Sequence, residues 1–512
     1  MMKYILFTLY IILIQTEISA QSNNISYLSY NKANEILNSS IRANGNFLDI
    51  QCMQFKIQGR DMLLSHIRKP WATVEYPFQG NFTMDENYEN KMISRTLKKS
   101  GHIGMVMSKK DEVYVKYYSS NDTVNVSGEL AKYFINSLTQ MLPHLILAEA
   151  VRNRETLTYI GDEKIGEFAY NVISFNNQQG KRRLIYVDSQ SGLVFKVQNL
   201  FFDKQWPHGD VIEETIYTEY KLINGIPIPT FKIVKSSDVI IQSYEFSDFM
   251  INVLSDSSAF EIPNSTEKGE VKSTQNDDAI DISNLLIEEV GEHLYTLYLP
   301  PLDCKSMIME FKDSILVIES ATNSEYGTLI IDKIHDYFPN KVISTVVLSH
   351  YHPYSMGGIR AFVHAGANVV TTKGNEDYAK FIINAPYSLQ ADSLQLNPKI
   401  ANIIIVNDKK IVFSENNLKV EIYDIGIKSN HTDEFLISYF PHEKLLFTGD
   451  ICFVPKNYDD KTQVSSRTRG LYESIVELGI DVDTIIPNWP SKASSYKEMV
   501  SFEELEKFVL KK

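Results

Sequence analysis

Residues 264–283 read NSTEKGEVKSTQNDDAIDIS, a stretch with hardly an apolar side chain and no periodicity. No hydrophobic core can run through such a segment, so the chain must fold as two packed units joined by a solvated connector. This divides it into a first domain at residues 21–263, a linker at 264–283 and a second domain at 284–512. The length of 512 residues permits this, since roughly 150 residues per domain gives two or three domains. With 44% hydrophobic and 22% charged residues the chain is an ordinary globular one, and collagen-like, coiled-coil and largely disordered classes are excluded.

At the start of the chain, Lys3 precedes the mostly apolar run Tyr4 to Ile14, and a short polar stretch ends in Ser19-Ala20. This is the pattern of a secretory signal peptide at residues 1–20, cleaved before Gln21. A spanning helix needs about 20 apolar residues, and Gln15, Thr16 and Glu17 close the run too early. No later segment is long and apolar enough, so the expectation is an exported protein, periplasmic or secreted, with no transmembrane segment in the mature chain. Three cysteines, Cys52, Cys304 and Cys452, allow at most one bridge and read as small buried side chains. Fifty Lys and Arg against 64 Asp and Glu leave a net charge of −14, which excludes nucleic acid as a partner in the absence of a basic patch.

In the first half, apolar spacing predicts a helix over Tyr30 to Arg42 and a longer one over Gly128 to Arg152. Between and after them lie hairpins. Phe168 to Phe175 and Arg183 to Val187 flank a polar turn, and Tyr217 to Leu222 turns at Asn224-Gly225, the strongest hairpin signal of the half. Strands at Phe231 to Val234 and Val239 to Phe246 complete a mainly antiparallel, curved sheet on which the helices pack. Its aromatics read as core residues, and a concave sheet of this kind can also hold an apolar ligand. The stretches YTEYKLINGIPIP, FEIP (Phe260 to Pro263) and ANEILNSSIRANG (Ala33 to Gly45) resemble the outer-membrane lipoprotein carrier (LolA-like) fold. That resemblance implies a fold and no function.

The second half alternates strands and helices. Its central apolar run Ser344 to Ser349 leads directly into His350-Tyr351-His352. Side chains two apart on extended backbone point the same way, so both imidazoles can meet one point past the strand end. Gly357-Gly358 opens a helix, His431 precedes the apolar strand Phe435 to Phe440, and Leu445 to Thr448 runs into Gly449-Asp450. Imidazole and carboxylate are both normal zinc ligands.

Here the sequence resembles the metallo-β-lactamase superfamily over roughly Leu285 to Lys512. The family's H-x-H-x-D-H signature falls on His350, His352, Tyr354 and Ser355, its third histidine on His431, its bridging aspartate on Asp450 and its last histidine on Trp489. The resemblance implies an α+β protein whose second domain is an αββα sandwich, with His350, His352, His431 and Asp450 as metal ligands and Asp450 also in a catalytic role. Tyr354, Ser355 and Trp489 replace the second metal's own ligands, and an indole N–H has no lone pair to donate. About one zinc ion is therefore expected.

The implied activity is hydrolysis of a small-molecule ester, lactam, thioester or lactone by an exported mono-zinc enzyme. The alternative is a catalytically degraded member that binds or interacts, with the sheet domain and an apolar ligand carrying its function. His335, His364 and His442 read as surface or hydrogen-bonded residues, and His102 and His144 belong to the other half.

Overall fold

The computed structural model describes residues 26–510 apart from 46–49, 65, 86–88, 97–102, 111, 118–122, 204–205, 254–259, 262–283, 490 and 493. The leader at 1–20, the connector at 264–283 and His102 lie outside these. Two compact units divide the chain: Met1–Leu63, Val74–Leu200 and Ile212–Asp277 form one, and Leu64–Thr73, Phe201–Val211 and Asp278–Lys512 form the other. Among the described residues no helix is long and apolar enough to cross a membrane, and all three cysteines are free.

The first unit is a thirteen-stranded antiparallel sheet with helices on one face. The first six strands pair in succession, as do the last seven, and the first, Met53–Leu64, pairs the last, Val239–Ile251. The Asn224-Gly225 turn joins Gly209–Ile223 to Ile226–Ser236, and both turn residues have positive φ, 51° and 82°, as a hairpin turn matching the strand twist requires. The single helix expected over Gly128 to Arg152 is instead two, Gly128–Thr139 and Pro143–Arg152. Pro143 has no N–H and its ring would strike the carbonyl four residues back, so it breaks the first helix and sits in the first turn of the second, where that N–H is not needed.

Ala33, Ile36 and Leu37 of the helix at 26–43 join Phe134, Leu138, Leu145 and Ile146 against Phe55, Phe82, Ile173 and Ile185 of the sheet. Arg183, 1% exposed, fastens helices to sheet. Its guanidinium donates to Glu149 Oε2 at 2.7 Å, to Asn199 Oδ1 at 3.0 Å and to Asn136 Oδ1.

The second unit is an αββα sandwich. Seven strands, running in sequence order from Leu286–Gly291 to Ile403–Ile405, form one sheet, and six, from Lys410–Glu415 to Val500–Ser501, form the other. Strand alternation sorts the side chains into layers. In Ser314–Ile318, Leu316 and Ile318 face the layer between the sheets, while Ile315 and Val317 face the helices. In the second sheet Leu445 and Phe447 face inward and Leu446 packs on the outer helices with Leu471, Ile475 and Phe508.

One buried cation holds the helical layer beside the His350 loop. Arg360, 2% exposed, lies in the helix Ile359–Ala365. It binds Asp392 through Nε at 2.6 Å and Nη2 at 2.9 Å, caps the carbonyls of Ile383 and Ala385 at 2.6 and 2.9 Å, and stacks 3.9 Å from the Tyr387 ring centre. Removing one partner of a buried pair costs about 3–5 kcal/mol because the other charge stays buried. Arg360→Met should lower the stability of the second unit by that amount in denaturant unfolding, and Arg360→Lys should recover only a small part, since an ammonium cannot fork onto both carboxylate oxygens.

Candidate metal centre

The centre lies where the two sheets of the second unit end together. Strand Val342–Val347 is buried along its last three residues and delivers Ser349, His350 and His352 just past its end. The carbonyl of Ser349 accepts from Leu436 N at 2.8 Å, which ties this loop to strand Leu436–Phe440 of the opposite sheet. His431 stands before that strand, after a tight turn at Gly426–Ser429, and its backbone N–H donates to Ser429 Oγ at 3.2 Å. Asp450 follows strand Leu445–Phe447 through Gly449, whose φ is +58° and whose missing Cβ would lie 3.0 Å from the Phe435 ring and 3.2 Å from Ser349 Oγ. Only glycine suits that conformation and that space.

The four side chains named from the sequence are brought together: one donor atom from each of His350, His352, His431 and Asp450 lies within 4.8 Å of all the others. The ring centres of His350 and His352 are 4.5 Å apart, as are those of His352 and His431. His431 Nε2 is 3.0 Å from Asp450 Oδ2, and His350 Nε2 is 3.6 Å from Asp450 Oδ1. All three Nε2 atoms and Asp450 Oδ1 are buried without a hydrogen-bond partner. Buried polar atoms are rarely left so, and a group of four converging on one point suits a cation whose ligands are nitrogen and oxygen. His350 Nδ1 is 2.7 Å from Ser349 Oγ, a contact that leaves Nε2 as the inward-facing lone pair when Nδ1 carries the proton.

Electrostatics favour the ligating forms. Burial pushes His350 down to about 3, against the pull of Asp450, and lowers His352 well below the usual imidazole range, so both stay neutral. Burial alone would raise the Asp450 carboxyl, but His350, His431 and the Arg467 guanidinium outweigh it and hold the group ionised.

Of the three positions read as lost second-metal ligands, Tyr354 and Trp489 form a wall, with ring centres 6.4 Å apart and Phe453 6.1 Å beyond Trp489. Ser355 turns away from them, its Oγ accepting from His350 N and from Ser349 Oγ, both at 3.3 Å. As expected, His335 and His442 are exposed and His364 is half-buried, all outside the cluster. His144 is wholly buried in the first unit.

Several residues at the centre are not foreseen by the motif reading. Arg467 bonds Asp450 Oδ2 at 3.2 Å. Glu319, 1% exposed, lies behind Ser349 and Ser355. The segments Leu64–Thr73 and Phe201–Val211 bring His66, whose ring is 4.6 Å from that of His352, and the cluster of Trp71, Trp206 and His208. His208 Nε2 lies 2.8 Å from Tyr378 Oη, and the Tyr351 hydroxyl donates to the carbonyl of Ile67. The signal available in the sequence was compositional: two of the chain's three tryptophans sit in these short segments, each within five residues of a histidine.

Residues 299–505 match the sequence model of the metallo-beta-lactamase superfamily. No curated protein matches the chain. Among solved structures, a metallo-beta-lactamase from Pontibacter korlensis is similar at 15% identity over 44% of this chain and 98% of its own, with a TM-score of 0.31. The metallo-beta-lactamase FIM-1 from Pseudomonas aeruginosa, in its mono-zinc form, is similar at 14% identity over 44% of this chain and 93% of its own, with a TM-score of 0.31. A LolA superfamily protein from Nitrosomonas europaea is similar at 15% identity over 44% of this chain and 96% of its own, with a TM-score of 0.32.

Glu319 supplies a pH test of this centre. Burial raises its carboxyl to about 7, although Ser349 and Ser355 hydrogen bonds oppose the shift. A raised folded-state value means the native state holds a proton that the unfolded chain releases, so the contribution is full below the ordinary value near 4.5 and is lost as pH rises toward 7. In the metal-free protein His350 and His352, held neutral by burial, give the opposite slope, so the test is a difference: across that window the second unit of the unmodified protein should lose about 3 kcal/mol relative to Glu319→Gln. A pH slope unchanged by this substitution would show that Glu319 is already ionised in the native state.

Proposed function

We propose that the second unit is a hydrolase of the metallo-β-lactamase superfamily that works with a single zinc ion, held by His350, His352 and His431 with Asp450 beside it, and that it opens an ester, lactam, thioester or lactone of a small molecule. The observation that carries this reading is the meeting of three buried, unpartnered imidazole nitrogens with an ionised carboxylate. When bound, zinc supplies Lewis acidity and lowers the pKa of water to about 7.

The chain's own residues do the rest. Asp450 Oδ1, buried and unpartnered, would accept a hydrogen bond from a water held at the centre. Ser349 fixes the His350 ring from behind. The rings of Tyr354, Phe453 and the exposed Trp489 offer an apolar surface to the substrate's body. The same reading has the protein acting outside the cytoplasm, in the periplasm or secreted, supported by the leader pattern from Lys3 to Ala20.

Metal analysis tests it. The purified protein should carry about one tightly held zinc per chain, and His350→Ala should strip most of it. Two equivalents in the unmodified protein, or metal content unchanged by the substitution, would contradict the ligand set. A screen of ester, lactam, thioester and lactone probes should find turnover that His350→Ala removes.

A second, compatible role is favoured by a cavity of about 380 Å³ in the first unit, lined by Phe78, Ile93, Met105, Phe134 and Leu138 among others. Lys232 reaches into it, 2% exposed. Its ammonium lies against the Met141 sulfur at 3.4 Å and the Tyr244 ring at 5.2 Å, with the Asp61 and Glu213 carboxylates of the same cavity acting on it at longer range. Ligand pockets of this size are mostly apolar with a few placed polar groups, and this one suits an apolar ligand with an anionic end. Decanoate should bind the intact protein, and Lys232→Met should weaken it at least tenfold while leaving decanol binding unchanged; equal binding of decanoate by both proteins would remove the anion from this role.

A further inference from the structure

Arg467 projects from the first turn of helix Ser466–Leu478, whose N-terminus is capped by Ser465 accepting from Thr468 N. Its Nη1 bonds Asp450 twice, at Oδ2 (3.2 Å) and at the backbone carbonyl (3.4 Å). The guanidinium carbon lies 5.8 Å from the centre of the Phe453 ring, which extends the Tyr354–Trp489 wall. These contacts engage one nitrogen of three. Among the described residues Nε and Nη2 have no partner, and the side chain is 30% exposed, so one edge of a planar donor fork stands open beside the centre.

The charge count gives this edge a use. An imidazole that ligates a metal is neutral, and Asp450 and Arg467 form an ion pair and cancel. A divalent ion on the three imidazoles therefore brings uncompensated positive charge to a largely buried site, where an unpaired charge is costly. The residues that would bring a second ion are absent, since Tyr354 and Trp489 stand there as tilted rings 6.4 Å apart and Ser355 is turned toward the His350 backbone.

We infer that Arg467 takes the charge-balancing place beside Asp450 that a second metal ion would fill, and that its open Nε–Nη2 edge binds an oxyanion group of the substrate, a carboxylate or a phosphate. This rests on the mono-zinc reading above and adds to it a substrate class: the molecule hydrolysed carries an oxyanion within reach of the metal. Guanidinium is suited to this because its fork matches the paired oxygens of both groups. His66 packs between His352 and Trp206, with ring centres 4.6 and 5.0 Å away.

Calorimetric titration of inorganic phosphate, and separately of acetate, into the zinc-loaded full chain after removal of unbound zinc tests the inference, with zinc content measured on the same samples. The unmodified protein should bind at least one of the two, and which one it prefers identifies the oxyanion. Arg467→Gln should weaken that anion at least tenfold with zinc content unchanged, and Arg467→Lys should fall between, because an ammonium keeps the charge and loses the fork. Unchanged anion affinity in Arg467→Gln overturns the inference and leaves the mono-zinc reading standing, as does a chain that holds zinc and binds neither anion. Loss of zinc in parallel with the anion shows that Arg467 only braces Asp450, which also overturns it. An unmodified chain that holds no zinc removes the mono-zinc reading and the inference together, and is told apart by the metal analysis.

Discussion

Three imidazoles and a carboxylate, buried with one ligand atom of each within 4.8 Å of the others and with Nε2 of His350 and His352 unpartnered, are the condition to which the rest of the second unit answers. In a folded protein each would cost about 1–3 kcal/mol if left unsatisfied. The surrounding structure nonetheless holds them there. Two sheets end at the same level, the Ser349 carbonyl is bonded to the backbone of the opposite sheet, and Gly449 takes a conformation that permits the close approach of Asp450. A chain selected only for stability would fill such a point with apolar side chains. The arrangement is understandable as a site kept ready for a cation.

Around that point the burial of charge is consistently compensated, and the contrast is instructive. Arg360 in the helical layer and Arg183 in the first unit are as deeply buried as the histidines, yet each has its donors matched by carboxylates, amides or carbonyls. These two guanidiniums act as structural pins. Arg467 uses one nitrogen and leaves an edge open, and Lys232 meets a thioether and a ring face, with Asp61 and Glu213 acting on it only at longer range. Comparing how completely each cation is satisfied separates the residues that hold the fold from those that await something else.

Much of this was legible in the sequence because it rests on local rules. The strand running into His350-Tyr351-His352 and the Asn224-Gly225 hairpin each follow from spacing and residue type. The two-layer sandwich was implied by the resemblance of the second half to the metallo-β-lactamase superfamily. The helix over Gly128 to Arg152 was misjudged where apolar periodicity continued across Pro143, a residue whose backbone chemistry overrides periodicity. Arg467 and Glu319 could not be found by motif, because their role depends on approach in space: Arg467 reaches Asp450 from a separate helix, and Glu319 reaches Ser349 across neighbouring strands.

The segments Leu64–Thr73 and Phe201–Val211 were invisible for a different reason. Each is a short turn between strands of the first sheet, where sequence reading expects solvated, variable residues. Instead they carry Trp71, Trp206, His66 and His208, packed with Tyr378 and Phe381 of the second unit's helix Glu376–Asn384. Aromatic pairs of this kind are worth about 0.5–1.5 kcal/mol each beyond their buried area, which is ample to hold short turns in place. The consequence is that one side of the metal centre is made from residues nearly 300 positions earlier in the chain: His66 stands against His352, and the carbonyl of Ile67 accepts from the Tyr351 hydroxyl between the two histidines of the motif. In this protein the HxH pair is therefore steadied on one side by its own sandwich and on the other by these inserted turns, so residues 284–512 expressed alone would contain every proposed ligand but lack part of the centre's wall.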